Sequence, residues 1–170
     1  MPTIASLHLY PVKSCRGHDV AEAELDNFGL AGDRRFLVVD ERGHFLTQRT
    51  LPRLARVLSR TEPGILHLSA DGAGAVTVSL DAVDGGAARD VVIWRDTVRA
   101  IDLGPAAAAW LTEFLGRPAR LVRMAPEFTR PVRRPAAESG DETAFTDAFP
   151  LLVISEASLA ELNGRLDLAL

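Results

Sequence analysis

From Thr3 to Ile101 the chain is a succession of short runs rich in β-branched and large apolar residues, each cut off by Gly, Pro, Asn or Asp. Short strand-like runs at regular spacing, closed by turn residues, suit a barrel or a sandwich. Thr3 to Val12 alternates toward Leu7 and Leu9 and is stopped by Pro11. Val20 to Leu25 interleaves Val20, Ala21, Ala23 and Leu25 with Glu22 and Glu24 before the turn-like Asp26-Asn27-Phe28-Gly29, a half-buried, antiparallel pattern. Arg35 to Asp40, closed by Glu41-Arg42-Gly43 and handing over to His44–Gln48, predicts a hairpin. Further strands are expected over Leu54–Ser59, Ile65–Ala70 and Ala75–Leu80, with turns at Glu62-Pro63-Gly64, Asp71-Gly72-Ala73-Gly74 and Asp84-Gly85-Gly86. Val91–Trp94 and Val98–Ile101 form one more pair around Arg95-Asp96. The expected class is mainly β with few helices (α+β), a mixed or antiparallel β-barrel of about eight short strands.

Two helices complete the pattern. Gly104-Pro105 is an acceptable start for a helix over 105–115, with Ala107, Trp110, Leu111, Phe114 and Leu115 on one stripe, and Gly116 and Pro118 stop it. A strand-like run follows from Ala119 to Met124. Residues 125–142, punctuated by Ala125-Pro126, Arg130-Pro131, Arg134-Pro135 and an acidic run, read as a linker or surface loop. Pro150 to Ile154 predicts a last strand, and Ser155 caps a helix over 156–166 with Leu159, Leu162 and Leu166 on its inner face. The apolar end at Leu168-Ala169-Leu170 wants a partner, either the barrel itself or a following domain.

With 170 residues the chain fits one ordinary domain, or a small one plus the start of another. Its formal charge of -4 argues against a nucleic-acid grip spread over the whole surface. Cys15 is the single cysteine, so no internal disulfide forms; the N-terminus lacks the pattern of a signal peptide, and cytoplasm is the expected compartment. No apolar run reaches the ~18–20 residues of a membrane span. The basic residues are 18 Arg and one Lys, Lys13.

That lone Lys stands in Tyr10-Pro11-Val12-Lys13-Ser14-Cys15-Arg16-Gly17 at the exit of a strand. A Lys point charge, a short Ser donor and successive backbone N–H groups near Gly17 suit an oxyanion; the alternative is a solvated loop. In Gly29-Leu30-Ala31-Gly32-Asp33-Arg34-Arg35-Phe36, adjacent arginines place one side chain on each face of the following strand. An inward Arg there is a phosphate clamp or half of a structural pair with Asp33 or Asp40. Neither a Walker A loop nor a dinucleotide fingerprint is present. Cys15 would be an activated thiol if Lys13 and Arg16 lie close, but a lone Cys is more often inert. His8, His18, His44 and His67 show no zinc spacing, and no Gly-x-Ser-x-Gly elbow occurs. Arg120, Arg123, Arg130, Arg133 and Arg134 carry one interleaved aromatic, Phe128, which favours a solvated linker or a partner for the acidic Glu138–Glu142 run over a nucleic-acid stripe.

Tyr-Pro-Val-Lys-Ser at 10–14, Gly-Leu-x-Gly-Asp-Arg-Arg-Phe at 29–36, Thr47-Gln48-Arg49 before Leu51-Pro52-Arg53-Leu54, and Phe145-Thr146-Asp147 running into Pro150–Leu159 resemble, in order, the MOSC proteins, which include molybdenum cofactor sulfurases and amidoxime-reducing components. The resemblance implies a β-barrel region over 1–124, the linker or loop over 125–142, and the opening of a MOSC domain over 143–170. It implies the molybdenum cofactor, a pterin phosphate carrying the metal, with Lys13, Ser14 and Arg35 at the phosphate and Asp147, Ala148 and Phe149 beside it, the last two through backbone groups. The family's molybdenum ligand is a cysteine that no residue here matches, so Cys15 is not a metal ligand and no catalytic residue is assigned. The activity implied for a full-length form is reduction of N-hydroxylated compounds with a flavin or iron–sulfur electron donor as partner. The rival is a non-catalytic β-barrel module for a phosphate-bearing ligand or a partner protein. A sulfur-carrier role through a pyridoxal-phosphate part has no mark in these residues.

Overall fold

A computed structural model describes Met1, residues 3–81 and residues 86–167. Two short antiparallel ribbons come first: β1 (Leu7–Leu9) with β2 (His18–Val20), and β3 (Leu25–Asp26) with β4 (Gly29–Leu30). β5 (Phe36–Val39) is followed by a 3-10 turn over Pro52–Arg56 and by the meander β6 (Leu58–Glu62), β7 (Ile65–Ala70) and β8 (Gly74–Ser79). The hairpin β9 (Ala88–Ile93) and β10 (Asp96–Asp102), the helix α1 (Pro105–Leu115), β11 (Arg120–Met124) and the helix α2 (Glu156–Asn163) complete the order.

β5 is Phe-Leu-Val-Val and buried throughout, so both of its faces need a cover. It edges a four-stranded antiparallel sheet in the order β5-β11-β10-β9. On one side Phe36, Val38 and Leu121 pack with Leu66 and Leu68 of the meander and with Leu111 and Phe114 of α1. On the other, Leu37, Val39, Val91, Ile93 and Val122 pack with Phe128 and Phe145. The sheets are mostly antiparallel and curl into a half-barrel with two helices, as the run of short strands predicts. Parallel bridges at Val12–Phe36 and Arg16–Leu58 stitch the β1–β2 connection across both larger sheets, which fixes residues 12–16.

α1 starts at Pro105 and ends on Gly116 at φ 70, a left-handed position that glycine takes without strain. β7 and β8 also lie as expected. The hairpin beyond β5 is present, with Leu46 N–H donating to Val38 C=O at 2.8 Å and Asp40 N–H to His44 C=O at 2.8 Å.

Elsewhere the structure corrects the pattern. Val20–Leu25 is not one strand: β2 ends at Val20 and Leu25 opens β3 in a mostly exposed two-residue ribbon, with no core for the alternation to face. Leu54–Ser59 begins in the 3-10 turn, because Pro52 presets φ at its start and Leu54 buries completely, and the strand runs from Leu58. The β9–β10 turn is Trp94-Arg95, with Asp96 already paired to Ile93. Pro150 to Ile154 forms no strand: no edge among the described residues pairs with it, and Leu152 and Val153 are exposed. α2 is capped by Ser155, whose Oγ accepts from Ser158 N–H at 3.1 Å, but it stops at Asn163 and buries no residue. Of its expected inner face, Leu162 and Leu166 are exposed and Leu159 is half-buried. The turn expected at Asp84-Gly85 and the end at Leu168 to Leu170 fall outside those residues.

Candidate anion-binding cleft

The segment between β1 and β2 is held by its own backbone. Lys13 N–H donates to Phe36 C=O at 3.0 Å, Arg16 N–H to Val57 C=O at 2.8 Å, and Ser59 N–H to Arg16 C=O at 3.1 Å. Val12 is a fully buried knob in the core. With both ends pinned, Ser14 takes φ 65, a strained region for a residue with a side chain. Arg34 at φ 49 and Trp94 at φ 55 are the other non-glycine residues with positive φ among the described residues, and all three gather around one cleft of about 430 Å³ or its rim. Strained backbone of this kind collects at functional sites.

Lys13 is buried and donates from Nζ to the Asp147 carboxylate, and Arg49 Nη2 donates to the other Asp147 oxygen at 3.0 Å. In the same cleft, the Arg34 guanidinium lies 4.6 Å from the Tyr10 ring centroid and pairs with buried Asp33. Asp33 in turn accepts from Tyr10 N–H at 2.8 Å. Arg34 N–H donates to Tyr10 C=O at 2.8 Å, while Arg34 C=O accepts from Phe145 N–H at 3.1 Å. One residue thus ties β1, the cleft and the segment carrying Asp147 together.

Burial lowers the Lys13 ammonium pKa below its ordinary value, against the opposing pull of Asp147. Burial alone would raise Asp147; the hydrogen bond from Lys13 and the help of Arg49 outweigh it and hold the carboxyl below the usual range. Cys15 is buried, and burial pushes its thiol up to about 12, so the activated-thiol alternative fails. Among the described residues no group of three or more His, Cys, Asp or Glu comes together.

The cleft brings together Lys13, Ser14, Asp147, Ala148 and Phe149. It does not include Arg35. Arg35 Nη2 donates to both Asp26 oxygens at 2.6 and 2.7 Å and to Leu30 C=O at 3.2 Å, with the guanidinium 5.1 Å from the Phe28 ring centroid. The arginine that lines the cleft is Arg34, paired with Asp33, while Arg35, the more buried of the two side chains at 15% against 27% exposed, pairs with neither Asp33 nor Asp40. Alternation sends two neighbours to opposite sides; the turn conformation at Arg34 decides which of them reaches the cleft.

Residues 125–142 hold no helix or strand, yet Phe128 and Arg130 are buried. Arg130 Nε donates to Asp96 at 2.9 Å, and Nη1 donates to Ala144 C=O and Thr146 C=O, both at 2.8 Å. This fork anchors the residues just before Asp147 to the start of β10. Arg133 also meets Asp96, at 3.3 Å, so the acid that answers these arginines is Asp96 rather than the Glu138–Glu142 run. Nothing in the sequence distinguishes Arg130 from its basic neighbours, and Arg49 had a motif but no assigned partner.

Asp102 behaves like Asp147: burial opposes ionisation, but hydrogen bonds from Arg120 and from Gly104 N–H outweigh it and lower the pKa. A carboxyl lowered in the folded state stabilises above its unfolded pKa, near 4, and that contribution is lost as pH falls through the folded value. The thermal midpoint is therefore expected to stay level between about pH 7 and about pH 5 and to drop below about pH 4. A midpoint at about pH 2.5 equal to the neutral one would contradict this origin.

The pattern that defines the MOSC N-terminal beta barrel domain matches residues 1–118. The chain belongs to the MOSC family. It is 37% identical over 175 residues to mitochondrial amidoxime-reducing component 1 of Homo sapiens, covering 97% of this chain and 51% of that protein. To the molybdenum cofactor sulfurase of Danio rerio it is 37% identical over 166 residues, covering 95% of this chain and 19% of that protein. The chain thus spans about half the length of the amidoxime-reducing relatives it matches. A solution structure of a Bordetella bronchiseptica protein shares the fold with TM-score 0.52 and 28% identity, over 70% of this chain and 99% of that one. The expectation of a cytoplasmic compartment is overturned, since the amidoxime-reducing relatives from human, mouse and cattle are all named as mitochondrial. No described helix is long and apolar enough to cross a membrane.

Proposed function

We propose that this MOSC barrel anchors the phosphate of the molybdenum cofactor for an oxidoreductase whose metal site lies in further chain. The observation that carries this reading is a buried Lys13 beside strained Ser14, lining one cleft together with Arg34. The donor set fits the phosphate end of such a group: Lys13 supplies a point charge, Ser14 a hydroxyl and Arg34 a planar fork. Asp147 orients Lys13 and Arg49, and Ala148 and Phe149 offer backbone groups on the same wall. Arg35 pairs with Asp26 and does not line the cleft, whereas Arg34 pairs with Asp33 and does. The described residues do not fit the metal end, where the one thiol is buried and protonated. When bound, the group supplies the redox step, in this reading the reduction of N-hydroxylated compounds with electrons from a flavin or iron–sulfur partner.

The same reading divides the chain into a barrel over 1–124, a connecting loop over 125–142 and the opening of a MOSC domain over 143–170. Exposed Leu152, Val153 and Ile154 support that last assignment, because such a run suits a strand awaiting an edge. A second reading is a β-barrel module without chemistry for a phosphate-bearing ligand or a partner protein; the shared fold takes up 99% of the Bordetella chain.

Lys13→Ala and Arg34→Ala are each expected to weaken binding of inorganic phosphate by about tenfold, the worth of one charge-assisted contact. In a chain extended by the family's second domain they should lower molybdenum content in step, with the unfolding transition retained. Unchanged phosphate binding in both variants would sink the anchoring role. Phosphate binding that depends on Lys13 in an extended protein free of molybdenum would favour the second reading.

A further inference from the structure

We propose that Trp94 is a positioning residue of the cleft, whose indole racks Arg49 and Lys13 in place for an anion; this rests on the anion-binding reading above. Trp94 and Arg95 form the two-residue turn between β9 and β10. Turns that need positive φ favour Gly, Asn or Asp at such positions, yet a Trp stands here at φ 55. Burial does not account for it, because the residue is 43% exposed.

What the ring does touch is the cation pair. The Arg49 guanidinium lies 5.1 Å from its centroid and Lys13 Nζ 5.8 Å, both within reach of the ring quadrupole. The two cations come from separate segments, and the ring is the surface they share. Phe45 packs against the indole at 4.9 Å between centroids and is itself fixed through Phe45 N–H to Val92 C=O at 3.0 Å. Arg49 has a side chain 61% exposed and is held at its tip by Asp147, so the ring restricts rotamers that this one contact leaves open and that an anion would otherwise have to order on binding. The same hairpin end supplies Asp96, which holds Arg130 and through it the segment carrying Asp147. One turn therefore sets the positions of both the cations and the acid that bridges them.

The test is calorimetric titration with inorganic phosphate of the wild type, Trp94→Ala, Trp94→Phe, Arg49→Ala and the Trp94→Ala/Arg49→Ala pair. Trp94→Ala is expected to weaken binding about fivefold, and Trp94→Phe, which keeps a π face, less than about twofold. In the Arg49→Ala background the Trp94→Ala loss should shrink to below about twofold, since the ring then has one cation left to position. In a Trp110→Phe background, phosphate should change the emission of Trp94, the remaining tryptophan. A Trp94→Ala loss that is undiminished without Arg49, absent altogether, or matched by Trp94→Phe would overturn the positioning role. If the wild type binds no phosphate, or binds it as well without Lys13, the anion-binding reading falls and this inference with it. If Lys13→Ala weakens binding but the Trp94 variants do not, only the role of Trp94 falls.

Discussion

Arg130→Ala is expected to lower the free energy of unfolding by about 3–5 kcal/mol, the scale for removing one partner of a buried ion pair. The side chain is 4% exposed, and its planar fork serves three acceptors at once: Asp96 and the carbonyls of Ala144 and Thr146. Truncation leaves two buried carbonyls without this donor and an unfilled space where a buried side chain stood. Asp96 keeps exposed Arg133, which softens the loss of charge but cannot reach the carbonyls in the same way. Arg130→Lys should also cost stability, because one ammonium cannot reproduce a fork directed at three acceptors. Urea denaturation measures both. A loss below about 1 kcal/mol for the alanine variant would show that burial of Phe145 alone holds the segment. Phosphate affinity should fall along with stability, because Asp147, the bridge between Lys13 and Arg49, follows directly on the residues Arg130 ties down.

Gly17→Ala is the other change with a large expected effect, a loss of about 3 kcal/mol from forcing atoms into filled space. A Cβ at this position would sit 2.3 Å from Leu9 C=O and 2.6 Å from Cδ1 of Tyr10. The carbonyl belongs to β1, whose Leu9 pairs with His18 of β2, so backbone on both sides of the cleft segment must shift. The Tyr10 ring has to turn as well, and it is the face on which Arg34 rests. Phosphate binding is therefore expected to weaken in any fraction that still folds. An alanine variant with wild-type unfolding and wild-type phosphate affinity would show that the β1–β2 ribbon yields more easily than its packing implies. Sequence placed Gly17 near the anion for its backbone N–H; its firmer role is to let two strands approach.

Much of the fold could be read from neighbours in the chain. The stripe of α1 with Pro105 at its start and Gly116 at its end, the paired runs of β7 and β8, and the cap at Ser155 each depend on residues a few positions apart. Leu151 to Ile154 shows where that reading stops, since an apolar run becomes a strand only if an edge is there to receive its N–H and C=O groups.

The cleft divides in the same way. Lys13 and Ser14 were legible because a lone lysine beside a hydroxyl at a strand exit has chemical meaning by itself. Of the arginines at 34 and 35, alternation sends the two to opposite sides, but which of them meets the cleft depends on a backbone torsion set by the turn. Arg130 and Trp94 gain their roles from Asp96, Thr146, Arg49 and Lys13, none of them neighbours in sequence. The amino-acid sequence by itself determined the turns, the apolar runs, the α1 helix and the cation at the end of β1, since these follow from local sterics and hydrophobic pattern. Only the tertiary structure decided which acid and which arginines meet that cation: Lys13 and Asp147 stand 134 positions apart, and their contact exists because the sheets curl and Arg130 pins the segment that brings the carboxylate back.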